Sequence, residues 1–185
     1  MIVSPHLQAL LKAHAHQGES NDCGPYTIAI VVNALQGTRL EPKEMSRRMN
    51  RPRRRGALLV VRRIPNWATF PWGAADALRE HGLPARWRVF ANQEALLHGL
   101  TSGEILLPII GEWFPSPWAH IAILAAWDEY KGWGFVDPLT PAATLYWRPY
   151  EVFTRQWQAY LRLLVHIPAP TPLAEAILPA GEPAI

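Results

Sequence analysis

The spacing of apolar positions changes near the middle of the chain. Residues 23–36, "CGPYTIAIVVNALQ", are apolar nearly all round, the pattern of a helix buried on every side. Asp22 or Cys23 stands at its start, Pro25 suits the first turn, and Gly37 can end it. A second helix is predicted over "EPKEMSRRM", with Leu40, Met45 and Met49 inward. A third is predicted over "PWGAADALREHG", with Trp72, Ala75 and Leu78 on one face and Gly82 past its end. Between these two, "NRPRRRGALLVVRRIPNWATF" reads as a loop with a short extended piece.

Beyond Gly82 the pattern is mostly that of strands. "PARWRVFA" is followed by a short helix over "NQEALLHGL", which Asn92 can cap. Then come "EILLPII", "AHIAILAAW", "GWGFVDP", "TLYWR" and "YLRLLVHI", whose β-branched and aromatic content and turn breaks predict an antiparallel sheet. A helix over "PYEVFTRQW" crosses between the last two. Helices first and strands afterwards predict an α+β fold rather than alternating βαβ units. Residues 1–167 read as one domain, and 168–185, "PAPTPLAEAILPAGEPAI", as an irregular proline-rich tail.

Composition narrows the class. A chain of 185 residues, 49% apolar and 18% charged, can build one well-filled core and is not a disordered chain. No apolar run reaches the length of a membrane span, and the N-terminus lacks the pattern of a secretory leader, so the cytoplasm is the default expectation. The single cysteine excludes an internal disulfide and a Cys-rich zinc site. The charge is uneven: eight arginines fall between Arg47 and Arg63, in "RRMNRPRRRGALLVVRR". Such a run is where binding of a nucleic acid or another anion could begin, but no nucleic-acid module surrounds it. It reads as a solvated loop, and nucleic acid is not expected as a partner.

The candidate chemistry centres on "QGESNDCGP". A cysteine becomes a nucleophile when its thiolate is favoured, by the positive end of a helix and more strongly by a neighbouring imidazolium. Cys23 meets the first condition at the start of the buried helix. For the second, His120 stands on an otherwise apolar strand, and Asp137 ends the next strand of an apparent hairpin. Antiparallel neighbours can set these two side by side, the carboxylate orienting the ring and the free nitrogen facing Cys23, which is a nucleophile–base–orienter arrangement.

Gln17 six positions before Cys23, the Asp-Cys-Gly-Pro sequence, and an apolar strand opening on a histidine ahead of an Asp-Pro follow one another in this order. Together they resemble the papain-like cysteine peptidases, and more closely the bacterial family that includes the double-glycine leader peptidases of bacteriocin exporters. The resemblance runs to about His166. It implies a papain-like fold, with the nucleophile at the start of a central helix packed on the sheet. It also implies Cys23 as nucleophile, His120 as base and then acid, Asp137 as orienter, and Gln17 as side-chain donor to the oxyanion. No cofactor or metal is implied, and the partner would be a peptide or protein substrate.

The arginine-rich insert is not expected from that family, and no transporter domain is attached, so export-coupled cleavage is not supported. "GEWFPSPWAH" should border the cleft, where Trp113, Phe114 and Trp118 would form either an aromatic lip for substrate or simple packing. Asp22 could line the entrance, although capping the helix is its more ordinary task. His14 and His16 alternate like a metal pair but lack a third ligand. Three functions stay open: hydrolysis of a peptide or amide bond, acyl transfer by the same residues, and an inactive anion-binding module using the arginine run.

Overall fold

The computed structural model describes residues 1–169, so the expected tail falls outside the described residues from 170 onward. The elements in order are β1 (Ile2–Val3), α1 (Leu7–Lys12), α2 (Cys23–Gln36), α3 (Pro42–Met49), β2 (Arg53–Arg55), β3 (Leu58–Val60), β4 (Arg63–Ile64), β5 (Ala68–Thr69) and α4 (Pro71–Glu80). They continue as β6 (Arg86–Arg88), α5 (Gln93–Ser102), β7 (Ile105–Glu112), β8 (Trp118–Ile121), β9 (Ile123–Asp128), β10 (Gly132–Val136), β11 (Leu145–Arg148), α6 (Tyr150–Ala159) and β12 (Leu164–Ile167).

The main sheet is antiparallel in the order β11-β10-β9-β7-β12-β6, with β1 beside β9 and β8 beside β7. Its centre, β7, is buried along nearly its whole length. Ile105, Leu107 and Ile109 meet α1, α2, α3 and α4 on one face, and Leu106 and Ile110 meet α5 and α6 on the other. A strand covered on both faces must be apolar at every position, which is why "ILLPII" shows no alternation. The α+β expectation holds, with two later helices added on the second face.

Helix α2 fills the middle of the first layer, its residues Gly24 to Val32 all buried. Gly37 ends it in the left-handed conformation at φ 65°, where a side chain would be strained. Thr27 Oγ1 donates to the Ile121 carbonyl at 2.9 Å, tying the first turn of α2 to β8. Asn92 caps α5 as the sequence suggested, its Oδ1 accepting from the Ala95 N–H at 2.9 Å.

Three local expectations need correction. The insert between α3 and α4 is not a plain loop but two small hairpins, β2–β3 and β4–β5. Nor is it uniformly solvated: Arg62 and Arg63 are buried, Arg62 pairing with Glu80 at 2.6 Å and Arg63 with Asp22 at 2.7 Å. Two residues of a run can thus be core when acidic groups from other elements meet them, which spacing along the chain does not reveal. Trp72 lies off the buried face of α4, stacked on Phe70 with Nε1 donating to the Val61 carbonyl, whereas Ala75 and Leu78 are fully buried.

Candidate active site

Helix α2 and the sheet meet at Cys23 and His120. Strand β8 holds His120 against β7 in register with Ile110. The chain breaks at Ala122 and continues as β9, which pairs with β10 so that Val136 lies opposite Ile123. Asp137, one step past β10, is therefore delivered to the imidazole. His120 Nε2 and Asp137 Oδ1 are 2.8 Å apart, and both side chains are buried. Asp137 is itself fixed, because the same oxygen accepts the Leu139 N–H at 2.9 Å. With Nε2 committed, Nδ1 is the ring nitrogen left free, and Cys23 lines the same cleft as His120.

The electrostatics follow from this arrangement. Burial alone would push the Cys23 thiol up, but the His120 hydrogen bond and charge, with the backbone N–H groups of Ile121 and Gly24, bring it below its ordinary value. Burial acts to depress His120, yet the carboxylate behind it and the sulfur in front raise it to about 9. Asp137 also opposes burial, since its hydrogen bond and attraction to His120 hold it below the usual carboxylate range. The three groups favour a thiolate–imidazolium pair backed by a carboxylate.

Gln17 is buried at the same cleft. Its backbone N–H donates to the Pro138 carbonyl at 2.9 Å, while His14 Nε2 lies 3.1 Å from the Asp137 carbonyl. These contacts bind the stretch before α2 to the aspartate turn. The Gln17 amide donates one N–H to the Ser20 carbonyl at 2.6 Å, and an amide nitrogen carries a second. His14 faces this backbone contact rather than forming a metal pair with His16, and among the described residues no group of three ligating side chains could hold a metal.

The cleft has a volume of about 260 Å³ and is lined by Gln17, Glu19, Leu139, Trp67 and Trp118 together with Cys23 and His120. A connected crevice of about 20 Å³ runs from Cys23 between Trp67, Thr69, Ile109 and Ala119. A larger concavity, about 680 Å³, lies along Lys12, His14, Asn33 and Arg39 and holds no nucleophile.

The expected aromatic lip divides. Trp118 lines the cleft, whereas Trp113 stacks on Tyr160 at 5.1 Å and donates to the Ala159 carbonyl, and Phe114 is 87% exposed. Neither of the latter two borders the described cleft. Asp22 sits at the N-cap position of α2 but its side chain makes no capping hydrogen bond, its carboxylate being drawn to Arg63. Among the cleft residues that the sequence did not suggest is Trp67, 68% exposed at the tip of the β4–β5 hairpin. The one available signal was "PNWATF", a tryptophan in a turn where apolar bulk has no local reason.

No family model matches the chain, and no curated protein does. Solved structures do. A "putative C39-like peptidase" from Bacillus anthracis superposes with a TM-score of 0.66 at 10% identity, covering 85% of this chain and 94% of that one. A double glycine motif protease from an AMS/PCAT transporter, solved in complex with the leader peptide, superposes with a TM-score of 0.56 at 17% identity, covering 85% and 91%. The chain has the papain-like fold of the C39 peptidases, and the expected fold is borne out. Among the described residues no helix is long and apolar enough to cross a membrane.

Proposed function

We propose that this chain is a cysteine peptidase acting through Cys23. The observation that carries the proposal is the buried His120–Asp137 pair, 2.8 Å apart, in the cleft that Cys23 lines at the start of α2. The sulfur attacks the substrate carbonyl carbon, and the carbonyl oxygen takes the negative charge. The Cys23 backbone N–H and the second N–H of the Gln17 amide stabilise that charge. The His120 imidazolium gives its proton to the departing amine, leaving a thioester on Cys23. Neutral His120 then takes a proton from water as the water attacks the thioester, and the acid product leaves with the thiolate–imidazolium pair restored.

The crevice beside Cys23 points to the substrate class. Its volume of about 20 Å³ has room for about one water molecule and none for a branched side chain. The residue whose carbonyl is attacked is therefore read as glycine or nearly as small, presented in an extended peptide. The likeness to a protease of double glycine motifs supports the same reading.

The test offers peptides with Gly-Gly, Ala-Ala or Leu-Leu before the scissile bond to the wild-type chain and to Cys23→Ala. Cleavage of the Gly-Gly peptide alone, lost in the variant, is the expected result. Cleavage surviving in Cys23→Ala, or no cleavage of any peptide by a folded wild-type chain, overturns the proposal.

A further inference from the structure

The residue before the nucleophile is acidic, which on elementary grounds works against it. A carboxylate next to Cys23 repels a thiolate. An Asp at the N-cap position also ordinarily folds its side chain over the first turn, consuming the N–H groups that could serve the sulfur. Here it does neither unopposed. The Asp22 side chain makes no capping bond, and its Oδ1 lies 2.7 Å from Arg63 Nη2. The Arg63 side chain is fully buried, and its other contacts fix its direction. Nη1 donates to Ser46 Oγ on α3 at 3.0 Å, and Nη2 to the Asn21 carbonyl at 3.3 Å. Arg63 thus joins the start of β4, the middle of α3 and the two residues ahead of Cys23. A buried guanidinium is costly to desolvate and persists where its partners satisfy it, so this position is specified by the fold.

Resting on the reading of Cys23 as nucleophile, we infer that Arg63 is a positioning residue for it. Arg63 draws the Asp22 carboxylate off the N-terminus of α2 and neutralises it, leaving the first N–H groups of the helix to the sulfur and the developing oxyanion. Cys23 is the first residue of α2, so its sulfur stands at that helix end. The insert then does more than border the cleft, because one of its arginines sets the electrostatic state of the helix that carries the chemistry. The charged groups around Cys23 are His120 on β8, Asp137 paired with it, Glu19 in the cleft lining, and the Asp22–Arg63 pair. Only the last pair is altered in the test.

Iodoacetamide alkylation of the full chain is measured from pH 5 to 10 by intact mass, which one cysteine makes unambiguous. In Arg63→Met the midpoint should rise by about one pH unit, since an uncompensated carboxylate then faces the thiolate. Asp22→Asn in that background should return most of the shift. Asp22→Asn alone, which keeps the guanidinium and a residue suited to an N-cap, should lower the midpoint by about half a unit. Opposite signs from the two single variants are what loss of packing cannot produce. Should Arg63→Met not fold, Asp22→Asn decides the matter by itself. A low wild-type midpoint that folded Arg63→Met leaves in place, or an Asp22→Asn midpoint that is unchanged or higher, overturns this inference and spares the peptidase reading. An ordinary thiol midpoint in the wild-type chain overturns the peptidase reading instead.

Discussion

The sheet side of the cleft and the insert side hold their residues by different means. His120 and Asp137 are buried side chains on or beside strands of an eight-stranded sheet, packed on both faces and fixed by register. Trp67 stands on a hairpin of two-residue strands, kept in place by Arg63 and by Asn21 Nδ2 donating to the Asn66 carbonyl at 2.9 Å. Groups that move protons need geometry held to fractions of an ångström, and a packed core supplies it. A group that contacts only a substrate's side can sit on a thin element with few buried contacts, where opening is easier. Thr69 marks the seam between the two regions: a Cβ on Gly24 would come within 2.3 Å of its Oγ1, so α2 and β5 touch with no room for a methyl group.

The strongest test of this contrast removes the chemistry proposed for the sheet side and for the start of α2. Cys23→Ala and His120→Ala should each abolish peptide cleavage, and retained cleavage in either would break the comparison at its root. Asp137→Asn should keep the fold and lose on the order of 10²–10⁴ in kcat, because the ring loses the charge that orients and stabilises it. Gln17→Ala should cost on the order of 10²–10³ in kcat with the alkylation midpoint unmoved, as expected of an oxyanion donor.

On the insert side, Trp67→Ala should raise KM several-fold and leave both kcat and thiol titration near wild type. An equal loss in kcat would place Trp67 with the chemistry and erase the distinction. The pH profiles sharpen the same division. Cys23 is lowered and His120 raised to about 9, so cleavage should climb as the thiol ionises, below its ordinary range, and fall as the imidazolium deprotonates near pH 9. Alkylation needs only the thiolate and should stay high above pH 9. The smallest effect is a control: Asn92→Ala removes the cap of α5, far from the cleft, and should cost about 1 kcal/mol of stability with no change in alkylation.

The chain itself carries the identity and order of its elements, because local signals are strong where burial is complete. The all-apolar α2, the Gly37 stop, the Asn92 cap and the unbroken apolar run of β7 are each readable from neighbours in sequence. His120 and Asp137 are legible as a candidate pair from the expected hairpin, although the strand carrying the histidine splits in two, so that His120 sits on β8 against β7 and only β9 pairs with β10. Gln17 is legible only through a resemblance, since nothing local distinguishes one glutamine from another.

What folding alone decided lies in long-range polar contacts. That Asp22 leaves its cap for Arg63, that Arg62 and Arg63 are interior while Arg47, Arg48, Arg51 and Arg54 are exposed, and that Trp67 and Trp118 line one cleft depend on residues tens of positions apart. Hydrophobic periodicity reports which face of an element is inward. It carries no information about which charges will meet once several elements have packed, and the insert depends on those meetings for its place.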